Sequence, residues 1–245
     1  MGRETLDTRA FLLKSTPYGE SDRILSLFTE ARGKLSAIAL GARRSRKRFG
    51  GSLEPFALLQ ARLALRPSTD LARLELAEVL EPNLGVSKQL VSMGQAGAAL
   101  ELCRELLAPD QPEPRLFRAL ESYLRALDVR GPSLSRMVGL ELCALEVSGL
   151  HPRLGECGVC GKPVPPRRAA RFDPARGGVV CRSDGGGPIT LSGRALEGLR
   201  ALAAGRDAEL AEGDAKNAAD ALRALTEWHL GRQLKGAAFL RQISD

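Results

Sequence analysis

Five short apolar runs, each closed by turn residues, fill the first 80 residues of this 245-residue chain and restrict what its N-terminal part can become. Arg9 to Lys14 and Ile24 to Thr29 are the first two. The second leads through Glu30-Ala31-Arg32-Gly33-Lys34 into Leu35 to Ala42, and Gly33 can take the positive φ that a tight hairpin needs. Pro55 opens Phe56 to Arg66. After Pro67-Ser68-Thr69-Asp70 comes Leu71 to Leu80, where Ala72, Leu74 and Leu76 alternate with Arg73, Glu75 and Ala77. Five strands at this spacing predict a small closed barrel of the oligonucleotide-binding (OB) type over residues 1–80, with an open five-stranded sheet as the competing geometry.

At Pro82-Asn83 the period changes. Asn83 can cap a helix beginning at Leu84, and Ala96 to Leu107 continues a helical composition until Pro109, Pro112 and Pro114. Arg115 to Asp128 is the clearest helix, with Leu116, Leu120, Tyr123, Leu124 and Leu127 on one face. Ser133 or Ser135 starts another, which carries Met137, Leu140, Cys143, Ala144 and Val147 inward until Gly149. Gly193 to Ala204, capped by Ser192, and Asn217 to Leu234 complete the set. Between them lies 150–189, rich in Gly and Pro, holding three of the five cysteines and too polar to order itself by a core alone. The expected fold class is therefore α+β: an OB barrel over 1–80, an α-helical domain from 81–149 and 190–245, and a zinc-finger-like insertion over 150–189, zinc-bound or metal-free. Aromatic content of 4% suits a core of Leu, Ala and Val.

Charge is more informative by position than by total. From Ala31 to Leu53 there is no Asp or Glu, while Arg32, Lys34, Arg43, Arg44, Arg46, Lys47 and Arg48 supply seven positive charges. Without those seven, the remaining 29 basic residues equal the 29 acidic ones, so the net +7 traces to one window and points to a polyanionic partner. Within a barrel this run would lie at the rim, tracking phosphates without reading bases. Phe49 beside it could stack on a base, although a lone Phe at a strand end is more often core.

No stretch approaches the roughly 20 apolar residues of a membrane span, and Met1 to Asp7 carries Arg and Glu before any apolar run, which implies a cytoplasmic protein without membrane contact. An odd number of cysteines argues against a disulfide framework. Cys157-Gly158-Val159-Cys160-Gly161 is half of a zinc knuckle, and Cys181 follows at an interval that suits a zinc ribbon. The fourth position holds Asp184, an oxygen ligand where Cys or His dominates; His151 is the other candidate. A site without metal is equally compatible. Cys103 and Cys143 read as small hydrophobes on helix faces, Trp228 as interior filling and His229 as a polar contact beside it. P-loop, G-x-G-x-x-G, G-x-S-x-G and H-E-x-x-H motifs are absent, so a non-enzymatic role is expected.

The order of these pieces resembles the RecO family of bacterial recombination mediators. The resemblance rests on Tyr18-Gly19-Glu20-Ser21-Asp22, Leu27-Phe28-Thr29, Gly33, and Leu40-Gly41-Ala42-Arg43-Arg44. It continues through Gly149-Leu150-His151-Pro152, Cys157 and Cys160, Phe172, Gly177-Gly178, Cys181, His229-Leu230-Gly231-Arg232-Gln233-Leu234-Lys235 and Phe239-Leu240. It implies an OB domain, a helical domain and an insertion with or without zinc. It also implies binding of single- and double-stranded DNA, annealing of complementary strands, and action with RecR to help RecA replace single-strand-binding protein (SSB). The acidic, apolar-ended SSB tail would need a cationic apolar groove on the helices. Asp184 in place of a fourth cysteine departs from the pattern. A general OB-fold and zinc-ribbon protein of RNA metabolism or transcription would share the barrel and the basic loop, and a nuclease would need converging carboxylates.

Overall fold

A computed structural model of the chain describes residues 4–45, 49, 53–66 and 69–244. It divides into two compact units, Met1–Gly131 and Pro132–Asp245.

The first unit is built on five strands: β1 (Glu4–Tyr18), β2 (Asp22–Thr29), β3 (Gly33–Ala39), β4 (Leu58–Arg66) and β5 (Thr69–Glu81). They close into a barrel in the order β1-β2-β3-β5-β4, so the closed geometry holds and the open sheet does not. All neighbours are antiparallel except β3 and β5, which pair in parallel through Ser36, Ala37 and Ile38 against Leu71, Ala72 and Arg73. β1 reaches beyond the expected run at both ends. Its first half pairs with β4 and its second with β2, with a bulge between Leu12 and Lys14 where the strand turns from one to the other. Inside, Leu25, Leu27, Leu35, Leu63 and Leu74 alternate with Ala10, Ala37, Ala39, Ala61 and Ala72, the large and small residues a tight barrel needs. Phe49 joins that core.

After a 3₁₀ turn (Leu84–Lys88) come α1 (Leu90–Leu106) and α2 (Pro114–Arg130). Asn83 does not cap a helix: it sits at φ 46°, its side-chain amide donating to the carbonyl of Phe56, itself at φ 76°. The two helices belong with the barrel rather than with the later helices. The reason is on the outside of the sheet, where Phe11 and Phe28 each lie 5.2 Å, centroid to centroid, from Phe117 of α2. The Arg9 guanidinium stands 5.3 Å from the same ring centroid, held by Glu30 at 2.8 Å and Glu121 at 3.0 Å. Gly33 serves two needs, a φ of 70° in the β2–β3 turn and close approach of the α1–α2 connection. A Cβ there would lie 1.8 Å from the carbonyl oxygen of Gln111.

The second unit holds α3 (Leu134–Val147), a sheet in the order β7-β6-β8, α4 (Gly193–Ala203), α5 (Glu212–Leu230) and α6 (Lys235–Ser244). The sheet strands are β6 (Ala170–Asp173), β7 (Gly178–Val180) and β8 (Ile189–Leu191). Ser133 and Ser192 cap α3 and α4 as their spacing predicts. α5 starts five residues before Asn217, and Gly231 at φ 65° ends it before Leu234. The 150–189 segment buries more than its composition suggests, with Phe172, Val179, Val180 and Leu154 forming a small core. Arg200 of α4 pins it by donating twice to the carbonyl of Leu154, at 2.9 and 2.7 Å. Trp228 does not fill the interior. It is 64% exposed because the buried stripe of α5 runs through Ala215, Ala218, Ala221, Leu222 and Leu225, and His229 is exposed beside it. Cys103 is fully buried and Cys143 half-buried.

Glu141 of α3 lies buried with one carboxylate oxygen unpartnered. Burial pushes it up to about 8, with Asp220 adding to the shift and Arg223 opposing it. The folded chain therefore keeps a proton on Glu141 that the unfolded chain releases near its ordinary value of 4.5. The contribution of Glu141 to stability is fully present below that value and is lost as pH rises towards 8, by at most about 1.4 kcal/mol per unit. Glu141→Gln is expected to raise the thermal midpoint at pH 8 and leave it nearly unchanged at pH 4.5, measured by calorimetry across that range.

Candidate functional site

Two constellations carry chemistry, one in each unit. In the first, the chain leaves β3 through Leu40-Gly41-Ala42-Arg43-Arg44 and docks on the β1–β2 turn. Asp22 is the clamp: its carboxylate accepts from the backbone N–H of Gly41 at 2.7 Å and from the Ser21 hydroxyl at 2.9 Å, which holds it below the usual carboxylate range. The Arg43 N–H donates to the carbonyl of Ser21 at 3.0 Å, and its guanidinium to the carbonyl of Glu20 at 3.1 Å. Arg44 lies 4.0 Å from the Glu20 carboxylate and is 75% exposed. Both arginines are thus presented at the barrel rim. Arg46, Lys47 and Arg48 lie outside the described residues.

Arg32 and Lys34 do not join them. They sit at the opposite end of β3, where Arg32 pairs with Asp110 at 3.1 Å and the Lys34 ammonium donates to the carbonyl of Arg104 at 2.7 Å. Burial pulls Lys34 below its ordinary value, with Glu105 partly restoring it. Their polar ends are thus engaged with α1 and the α1–α2 connection. Among the described cations the window therefore splits, because Arg32 and Lys34 stand at the start of β3 (Gly33–Ala39) and Arg43 and Arg44 lie beyond its end.

Strand alternation places a second set of residues on the outer face beside the rim. Thr16, Ile24, Ile38 and Arg73 form one row across β1, β2, β3 and β5, and Lys14, Ser26, Ser36 and Leu71 the next. Tyr18, opposite Asp22, extends this face at the hairpin end and is 58% exposed. Tyr18 and Asp22 lie outside the basic run, although the Pro17-Tyr18-Gly19 triplet marks a turn presenting an aromatic.

In the second unit, Cys157, Cys160, Cys181 and Asp184 converge, their ligand atoms all within 4.8 Å of one another. His151 lies outside this group. The first two cysteines come from the knuckle, and the other two residues from the 3₁₀ turn after β7. Asp184 Oδ2 lies 3.2 Å from Cys157 Sγ and 2.9 Å from Cys181 Sγ; Cys160 Sγ and Cys181 Sγ are 3.6 Å apart. Zinc–sulfur bonds of about 2.3 Å put tetrahedral ligands about 3.8 Å apart, so the sulfur separation fits and the oxygen needs to retreat by a few tenths of an ångström. Amide N–H groups of Cys181 and Val159 point at Cys157 Sγ at 3.3 and 3.4 Å, the second-sphere donors that stabilise thiolate. Backbone donors draw the Cys157 thiol down. The hydrogen bond to Asp184 pushes Cys160 up to about 12, while thiol donors hold Asp184 down to about 2. The donor set and spacing fit a metal ion that replaces those thiol protons.

The surrounding segment is strongly basic, with Arg153, Lys162, Arg167, Arg168, Arg176 and Arg182 exposed and Glu156 the single exposed acid. Acidic residues elsewhere conceal this in the chain-wide balance.

Comparison with known proteins supplies the frame. Residues 1–83 match the family described as Recombination protein O N terminal, and residues 87–238 match Recombination protein O C terminal. The chain belongs to the RecO family. It is 40% identical over 248 residues to the DNA repair protein RecO of Anaeromyxobacter sp. (strain Fw109-5), covering 98% of this chain and 97% of that one. It is 39% identical over 248 residues to that of Myxococcus xanthus (strain DK1622), covering 98% of each. To that of Geobacter sulfurreducens it is 37% identical over 238 residues, covering 96% of this chain and 97% of the relative. The two family regions are divided between Asn83 and Ser87, so α1 and α2 fall in the C-terminal RecO region while packing with the N-terminal barrel. Among the described residues no helix is long and apolar enough to cross a membrane.

Purified protein is expected to carry close to one metal ion per chain by elemental analysis. Chelation should expose 150–189 to protease before the helices melt, and Asp184→Cys should tighten metal binding, because thiolate is the softer and stronger ligand.

Proposed function

We propose that this RecO-family protein is a DNA repair and recombination mediator. In this reading it binds single- and double-stranded DNA through the barrel, anneals complementary strands, and with RecR helps load RecA onto SSB-coated single strands. The observation that carries the reading is a closed OB barrel with Arg43 and Arg44 clamped at its rim, in a chain related over nearly its whole length to DNA repair proteins. Cations that grip phosphates leave the pairing edges of bases free, which is what bringing two complementary strands together requires. The outer face of β2 and β3 is where OB folds take oligonucleotides. Arg46, Lys47 and Arg48 extend the basic turn in sequence. The cysteine cluster would hold zinc, whose role is to order the 150–189 segment; no step of DNA binding depends on it.

Replacing Arg43, Arg44, Arg46, Lys47 and Arg48 with Ala is expected to weaken binding to all sequences alike and to reduce the log–log salt slope by about 0.7 to 0.9 for each lost phosphate contact. Arg32→Ala with Lys34→Ala should leave that slope unchanged. Fluorescence anisotropy titrations at several salt concentrations measure both, and an RNA competitor of equal sequence tests the translation or transcription reading. A five-residue variant with an unchanged slope would overturn the assignment.

For the SSB tail, the support lies in the first unit. Exposed Leu80 and Leu84 line a cleft of about 420 Å³ between the end of β5, the 3₁₀ turn and α2. Its acids are occupied, Glu81 by Arg125 and Asp128 by the Gly85 N–H. Lys88 and Arg130, exposed and without ion pairs among the described residues, give the rim a positive balance that suits an acidic peptide with an apolar end. Lys88→Glu with Arg130→Glu in the full chain should weaken binding of an SSB tail peptide, abolish annealing of coated strands and preserve annealing of bare ones. Equal losses on bare and coated strands would count against this docking site.

A further inference from the structure

The barrel unit contains seven aromatic residues, and six of them, Phe11, Phe28, Phe49, Phe56, Phe117 and Tyr123, are no more than 7% exposed. Tyr18 alone is out in solvent, at 58%. An exposed aromatic ring costs apolar hydration and is a poor choice at a hairpin tip unless something covers it. Its backbone is well held. Pro17 precedes it, restricting φ, Gly19 follows at φ 57° to make the turn, and the turn is bound to the basic segment through Asp22 and Gly41. The ring thus has a rigid base, and its hydroxyl has no hydrogen-bond partner among the described residues. Thr16 and Ile24 follow it along the outer face, and Arg43 and Arg44 meet the same turn at Ser21 and Glu20.

We infer that Tyr18 is a base-stacking residue of the nucleic-acid face, taking one unpaired nucleobase on its ring while Arg43 and Arg44 hold the adjoining phosphates. This rests on the reading of the barrel as the DNA-binding unit and adds a preference that the arginines cannot supply. Phosphates are common to single strands and duplexes, whereas a base is available to an aromatic face only when it is out of its helical stack. Stacking tolerates every base and leaves the pairing edge open, so it is compatible with annealing. The sum of the two contacts is a strand-state preference, set by Tyr18, on top of a salt-dependent grip set by the arginines.

The test uses the full chain with a fluorescent dT oligonucleotide and a duplex of equal length. Tyr18→Ala is expected to lower single-strand affinity about tenfold, with the salt slope and the duplex affinity unchanged. Tyr18→Phe, which keeps the ring, should bind as the parent does. Tyr18→Trp in a Trp228→Phe background should show fluorescence quenched by dT and much less by the duplex. Tyr18→Ala matching the parent on single strands, losing single strand and duplex alike, or Tyr18→Phe binding as weakly as Tyr18→Ala would each overturn the stacking role. The two readings fail separately: loss in Arg43→Ala with Arg44→Ala but none in Tyr18→Ala removes Tyr18 alone, and no loss in either removes the barrel rim as the site.

Discussion

The parallel pairing of β3 with β5 is the constraint on which the first unit depends. Parallel neighbours cannot be joined by a tight turn. The chain that leaves β3 must instead form β4 on the far side of β5 before returning, and the stretch from Leu40 to Ala57 makes that crossing. Closure also removes the free edges that a five-stranded open sheet would expose. Two consequences follow from one connection. Phe49 is delivered into the barrel core, and Arg43 and Arg44 are delivered to its rim. The proposed DNA contact and closure thus share one segment, which holds no acid from Leu40 to Leu53.

Helix attachment to the barrel follows the same economy. Ala10, Phe11, Leu12 and Leu13 are all buried, which in a strand means that both faces are covered. Ala10 and Leu12 face the barrel interior, and Phe11 meets Phe117 outside. The Arg9 guanidinium, shared between Glu30 of the barrel and Glu121 of the helix, fixes the angle at which α2 arrives. This is why the compact unit ends at Gly131 and not near residue 80.

Much of this was legible in the sequence because it depends on local chemistry. Alternation marked the five strands, Gly33 the hairpin, Ser133 and Ser192 the caps, and the C-x₂-C spacing the cluster that Asp184 completes. What was not legible depends on partners distant in sequence. The apolar run within Arg9 to Lys14 marks a strand, yet only Phe117, more than a hundred residues on, shows that its outer face is covered as well. Trp228 looked like core because it is large and apolar, but its angular position on α5 lies off the alanine-rich stripe. Net charge by window marks the basic turn but not the basic surface around the cysteines, since acids in other helices cancel it. Lys34 adds to that charge in sequence and is a half-buried donor to a helix carbonyl.

The Glu20 carboxylate beside Arg44 has a bearing on exchange. A phosphate arriving at that guanidinium does not find a bare cation; it competes with a carboxylate already nearby and tethered on the same turn. Each engagement therefore replaces one anion by another, and the net gain is smaller than for an unshared arginine. A grip of that kind is formed and surrendered readily. In the proposed role of bringing strands together and then yielding them, rapid turnover at the rim matters more than tenacity.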